Sequence, residues 1–415
     1  MHYIVVSLGG NGGVFPVISI AARLRARGHR TTLIAQIPYS ALAMSNGLHF
    51  IPLSTPEAYK SSLEDKFLQM TRYRNLYELR YCVGWNCLIA RSLRDLFAPD
   101  TFVLAVDRAS LWADLFANAR FKMPVVRLQP DLPPVVGSSG LADGFVSGSA
   151  PSALARKCEA KWRSMMGDCG LRAGPDNIRR LWSRRASVPT IALWPEWLVS
   201  GSSTTADSQG YFGFLPPPDM LTGVSKVPFT NNGKKLIVFV AGSLGTTRTW
   251  NDHFFEVSVN ICRALGCNGL VLGAEGMNTP VCLPDWFMLS EFVPLEQILP
   301  HASAIVHHGG IGTAAAAIRQ AVPQLIIPRV FSQPRNAEWL RRSGLCIVLE
   351  PRSYTASEGL RCMELLLAGD CYRVRAKEIS VRFNPETELA RLCESLERWS
   401  VLHRDSLAPS TKGAR

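Results

Sequence analysis

"VHHGGIGTAAAAIRQAVPQLIIP", residues 306–328, sets two histidines and three glycines between a short apolar run and an alanine-rich segment. The apolar "AIVHH" reads as the end of a strand, "AAAAIRQA" as a helix, and the glycines as the turn joining them. Amides at the start of a helix point outward without partners and lie at the positive end of its dipole. Such a turn can therefore seat a pyrophosphate, and bare glycine lets the ligand come close. The candidate contacts are His307 and the amides from Gly309, Gly310 and Gly312 to Thr313. A strand-to-helix turn that needs glycine only for packing reads the same way.

Outward from this turn, the same architecture appears twice. "YIVVSL" (3–8) suits a buried parallel strand, a Gly-rich turn follows, and "PVISIAARLRARGH" carries Ile18, Ala21, Ala22 and Leu24 at helical spacing before Gly28 stops it. "TTLIAQ" (31–36) is the next strand. "KLIVFVAGSLGTT" (235–247) restarts the pattern, with a helix to about residue 265 and a strand "GLVLGA" (269–274). Strand, helix, strand in each half makes the chain α/β with two parallel sheets. The Pro-, Gly- and Asn-rich segment 216–234 reads as a linker. The expected domains are 1–220 and 235–385, then a last helix over 386–402 packing back on the first, and a frayed tail, 403–415.

The chain has 415 residues, enough for two cores, and its 47% hydrophobic and 19% charged composition with 27 scattered prolines is that of a globular protein. Lys and Arg outnumber Asp and Glu by 45 to 33, a net +12, which attracts anions without choosing among them. The densest basic run, "IRRLWSRR" (178–185), has no nucleic-acid signature around it and reads as a solvated helix face, so no nucleic-acid partner is expected. Eleven cysteines without a C-x-x-C pair suggest reduced core thiols and a cytoplasmic protein. The opening reads as a strand rather than a signal, and no apolar run approaches the roughly 20 residues of a membrane span. Residues 67–97 alternate Phe67, Met70, Tyr73, Leu88 and Leu93 with arginines: an amphipathic stretch that fits core, a lipophilic-substrate channel or a membrane-facing surface. The Gly/Ser-rich 133–152 reads as a loop.

The 54-residue segment "EFVPLEQILPHASAIVHHGGIGTAAAAIRQAVPQLIIPRVFSQPRNAEWLRRSG" resembles the donor-binding region of inverting GT-B glycosyltransferases that use nucleotide sugars. With "FGFLPPP" and the opening "MHYIVVSLGGNGGVFPVISIAARLRARGHRTTL", the spacing is most similar to the B chain of bacterial rhamnolipid-type rhamnosyltransferases, strongly at both ends and thinly over 60–190. The resemblance implies a GT-B fold of two facing Rossmann-like domains and a nucleoside diphosphate sugar, dTDP- or UDP-linked, as co-substrate, with no further cofactor. It also implies a lipophilic acceptor hydroxyl, a setting compatible with peripheral contact at the inner face of a membrane. It places His307, Gly309, Gly310, Gly312, Thr313 and Ser243 on the diphosphate, Phe292 and Val293 on the base, and Ser332, Gln333 and Asn336 on the sugar. Asn11, Gly12, Gly13 and Phe15 fall on the acceptor side.

Two positions depart from that pattern. Ser332 stands where relatives carry an acid before the glutamine, and Gly13 stands where they carry the aspartate that takes the acceptor proton. Gly13 cannot take a proton. Asp107, after the strand "TFVLAV", is the substitute candidate, against an ordinary turn or helix-capping role. A dinucleotide enzyme is disfavoured, because "GGNGGVF" is not G-x-G-x-x-G and the second strand ends at Gln36 rather than an acid. Without a P-loop or an Asp-x-Asp pair, no metal is expected. The expected activity is metal-independent, inverting transfer of a hexose, L-rhamnose by resemblance. The rival expectation is a glycosyltransferase-like binding subunit that has lost its base.

Overall fold

The computed structural model describes residues 1–8, 10–64, 83–106, 123–133, 164, 167, 189–199, 208–219, 233–242, 248–273, 283–330, 332–382 and 384–407. The first sheet is built from β1 (His2–Val6), β2 (Arg30–Ala35), β3 (His49–Pro52), β4 (Thr101–Val106), β5 (Val125–Gln129), β6 (Thr190–Ala192) and β7 (Ser208–Tyr211). The second contains β8 (Leu236–Val240), β9 (Asn268–Leu272), β10 (Phe287–Ser290), β11 (Ala304–His307), β12 (Gln324–Ile326) and β13 (Cys346–Val348). Their orders are β3-β2-β1-β4-β5-β6-β7 and β10-β9-β8-β11-β12-β13. Every strand pairing is parallel, as in β1, whose Ile4 lies between Thr32 of β2 and Val103 of β4. Parallel sheets are covered on both faces, so their central strands read as unbroken apolar runs, and all five residues of β1 are buried. The expected pair of Rossmann-like parallel sheets is present. In each sheet the strand order reverses at one place, β1/β4 and β8/β11, where open α/β sheets leave a ligand crevice at the strands' carboxyl ends.

Helices follow the reversing strands β1, β8 and β11, and a further one follows β12. Helix α1 (Asn11–Ala26) leaves β1; Pro16 inside it has no N–H to give Gly12, and Gly13 bonds back to Gly10 at 3.0 Å in a tightened first turn. Helix α2 (Arg248–Leu265) follows β8, α3 (Ile311–Arg319) follows β11, and α4 (Gln333–Arg342) follows β12. The four alanines of α3 have a packing reason, since all are buried. Ala314 and Ala315 join Leu132, Trp194 and Phe214 of the first half and Trp339 of α4 in one apolar cluster, while Ala316 and Ala317 pack with Leu236, Leu270 and Ile305. Larger side chains would hold the two halves apart.

The last helix, α5 (Pro385–Leu407), lies on α1. Its Leu389, Leu392, Cys393 and Leu396 complete the core of the first sheet beside Val17, Ala21 and Leu24. The Tyr3 and Ser400 hydroxyls meet at 2.9 Å, and Glu397 accepts from Arg27 and His29. Five described cysteines are unpaired and buried, but Cys371 is unpaired and exposed, so not every thiol is a core thiol. In the amphipathic stretch, helix Val83–Asp95 buries Leu93 and exposes Leu88. Phe67, Met70, Tyr73, Asp107, Ser243, the loop beyond residue 133, the run 178–185, most of the linker and the tail from 408 lie outside the described residues. No helix among the described residues is long and apolar enough to cross a membrane.

Candidate functional site

After β11 the chain turns on Gly309, whose φ of +85° lies in the left-handed region. A Cβ there would also meet Ile326 Cγ2 at 2.9 Å, so glycine is required twice over. Gly310 then caps α3 without any side-chain hydrogen bond. Ala314 N–H is bonded to the Gly310 carbonyl at 3.0 Å, whereas the amides of Ile311, Gly312 and Thr313 have no hydrogen bond among the described residues. The first turn carries no acid, so its positive end is uncompensated.

The two histidines have opposite surroundings. His307 is fully buried; its Nδ1 accepts from Gly309 N–H at 3.2 Å and its Nε2 lies 3.0 Å from Gln324 Oε1, which fixes the tautomer with Nε2 as donor. Burial first, and then His308, pull its pKa down to about 3. The expectation that His307 touches a diphosphate is therefore corrected: both of its nitrogens are engaged inside the protein. His308 is half-buried at the turn. Its Nδ1 is 3.5 Å from the Val240 carbonyl, its ring packs on Gly242, and its Nε2 would lie 2.5 Å from a Cβ on Gly310. The imidazole thus stands against the start of α3. Burial holds its pKa down to about 4, with the Arg329 charge adding to the effect, so it is neutral at pH 7.

Arg329, after β12, sets its guanidinium carbon 4.4 Å from the centre of the Trp250 ring of α2. Burial lowers its pKa to about 10, so it remains a cation at neutral pH, and no carboxylate among the described residues forms an ion pair with it. Gln333 is corrected in part, because its Oε1 accepts from the amides of Arg329 (2.9 Å) and Val330 (3.0 Å) and so closes this loop. Asn336 is corrected fully. It is buried, donates to Gly309 O (3.2 Å) and Asp131 Oδ1 (3.3 Å), and accepts from Leu132 N–H (3.2 Å), tying the glycine turn to the first half of the chain. Trp339 adds a bond from its indole N–H to Pro133 O at 2.9 Å. Ser332 is half-buried just before α4 and caps it with no side-chain bond.

On the β10 side, Phe292 is 47% exposed while Val293 is buried, and the Val293 main chain makes no hydrogen bond among the described residues. That pairing of a free ring with an unpaired peptide edge suits a planar heterocycle. Across the crevice, Gly12 Cα lies 3.8 Å from the Cβ position of Gly312, so the starts of α1 and α3 nearly touch. Asn11 Oδ1 accepts from the Tyr39 hydroxyl at 2.9 Å, and Phe15 packs edge-on against the same ring. Gly13 faces Ser7 Oγ and Val106 Cγ1, each 3.4 Å from where its Cβ would lie.

Residues 270–396 match the family model described as "Erythromycin biosynthesis protein CIII-like, C-terminal domain". The demethyllactenocin mycarosyltransferase of Streptomyces fradiae is 24% identical over 387 residues, which is 90% of this chain and 80% of that protein. The calicheamicin glycosyltransferase CalG4 superposes with a TM-score of 0.70 at 18% identity, covering 98% of this chain and 99% of that one. The spinosyn rhamnosyltransferase SpnG, complexed with thymidine diphosphate, superposes with a TM-score of 0.65 at 17% identity, covering 96% and 100%. This is the GT-B fold. Within GT-B, the bare start of α3, His308, Arg329 and Phe292 all follow carboxyl ends of strands in the second sheet, and the start of α3 meets the start of α1 in the first. Sequence reasoning missed His308 and Arg329. The signal for the first was its place directly before the glycines, whereas the stacking of Arg329 on a tryptophan 79 positions earlier left no mark in the sequence.

Proposed function

We propose that the protein transfers a hexose from a nucleoside diphosphate sugar to an oxygen of a lipophilic small-molecule acceptor, with inversion at the anomeric carbon. The observation that carries this is the start of α3: three unpaired amides with an imidazole beside them and a guanidinium nearby. These groups would hold the diphosphate and stabilise the charge it gains as it leaves, the largest single contribution a preorganised site makes. His308 takes the place first assigned to His307. Phe292 would stack on the base and the Val293 backbone would read its edge. Ser332 and the Gln333 amide nitrogen would meet the sugar, with Asn336 holding the turn.

The thymidine diphosphate bound by SpnG supports dTDP as the carrier, and the resemblance of both chain ends to rhamnosyltransferases supports L-rhamnose. Ser243 would cover the donor, and Asp107 would serve a hydroxyl acceptor as base. The test is release of nucleoside diphosphate from dTDP- and UDP-sugars with lipophilic acceptors, with the anomeric configuration of the product read by NMR. Turnover with inversion supports the reading. Binding without turnover would instead mark a nucleotide-sugar-binding subunit.

A further inference from the structure

Unpaired helix-start amides with no acid beside them line the crevice on both walls, yet among the described residues none on the acceptor side is placed to take a proton. Gly13 is in the first turn of α1, and its Cβ direction meets only Ser7 Oγ and Val106 Cγ1 within 4 Å. Both lie at 3.4 Å, the edge of ordinary contact, and its φ is not positive, so packing does not demand a glycine. The absent side chain leaves room beside a helix start. Ser7 is fully buried, and its hydroxyl has no hydrogen-bond partner although it points at this space. The amides of Asn11 and Gly12 are unpaired among the described residues, Gly10 supplies no cap, and the Asn11 side-chain oxygen is held by Tyr39. Neither α1 nor α3 has an acid in its first turn, and the two starts converge at Gly12 and Gly312.

A neutral hydroxyl needs a positioned base, an aid of about 10²- to 10⁴-fold. A carboxylate, with a pKa of about 4, reaches neutral pH already ionised. We infer that the acceptor nucleophile is the carboxylate of a lipophilic acid and that the product is a glycosyl ester. The inference rests on the donor reading above and replaces the hydroxyl expected from sequence resemblance, and with it the base role given to Asp107. In the step, a carboxylate oxygen lone pair forms the bond to the anomeric carbon. The carbon–oxygen bond to the diphosphate breaks, its electron pair leaves with the nucleoside diphosphate, and no proton moves. The Ser7 hydroxyl and the Asn11 and Gly12 amides hold the carboxylate.

The experiment pairs decanoic acid with 1-decanol, and phenylacetic acid with 2-phenylethanol, using the full chain and a dTDP- or UDP-sugar whose nucleotide it binds in calorimetry. We expect transfer to each acid at least ten-fold faster than to its alcohol, giving products that neutral hydroxylamine cleaves. Gly13→Asp should reverse the preference, since its carboxylate repels an acid and can serve an alcohol as base. Where that variant does not fold, Ser7→Ala should raise KM for the acid several-fold and leave nucleotide affinity unchanged. Hydroxylamine-resistant glycosides formed from the alcohols at an equal or greater rate by the wild type would overturn the inference. A chain that binds no nucleotide fails earlier, at the donor reading itself.

Discussion

His307 and His308 are adjacent in the sequence and differ in exposure and in hydrogen-bond partners, which makes them a sharp test. His308→Ala should weaken nucleoside diphosphate binding by roughly ten-fold or more, about 1.4 kcal/mol, and leave the melting temperature nearly unchanged. His307→Ala should do the reverse, because it strands the buried Gln324 amide and opens a void beneath the turn. Thermal melts and calorimetry on both variants check this. A proton should also move. With Nδ1 toward the Val240 carbonyl, the neutral His308 ring presents a bare Nε2 at the anion seat, so binding an anion there raises its pKa from about 4. The complex then takes up protons, and affinity rises as pH falls toward that value. Titrations at pH 6 in buffers of different ionisation heat measure the uptake. The strand, glycine turn and helix start were legible in the sequence, because glycines beside a helical run announce them. Which histidine stands against the helix start was not, because that depends on Gln324 accepting a bond from 17 residues away.

Among the elements, α3 and α5 tie the halves of the chain together. The alanines of α3 were legible as a helix, but only their packing on two sides explains why they are small. Helix α5 donates Leu392, fully buried, to the first sheet's core. Leu392→Ala should destabilise the protein by about 2–5 kcal/mol, read by denaturant unfolding. The same contact has an acid limit. Arg27, and after it His29, hold the Glu397 carboxylate down to about pKa 2, below its ordinary 4.5. A depressed carboxylate stabilises the fold above its unfolded pKa and loses that contribution as pH falls from about 4.5 toward 2. Glu397→Gln should therefore narrow the difference between melting temperatures at pH 7 and pH 3, the wild type losing more on acidification.

For the whole molecule, the apolar runs that open at residues 3 and 235 were enough to read two parallel sheets, since covered central strands cannot alternate polar and apolar residues. The meeting of their switch points was not readable, as it rests on Asn336, Trp339 and α3 reaching residues 131–133, Trp194 and Phe214. That meeting brings two helix starts to one place in a chain of net charge +12, and on the proposed reading the crevice would seat a doubly phosphorylated leaving group. Isothermal titration of dTDP and UDP into the full chain, with thymidine and uridine as controls, tests this claim most directly. Saturable heat is expected with at least one diphosphate, and at least ten-fold weaker binding of its nucleoside. No heat with either diphosphate, or equal affinity for nucleoside and diphosphate, would contradict it.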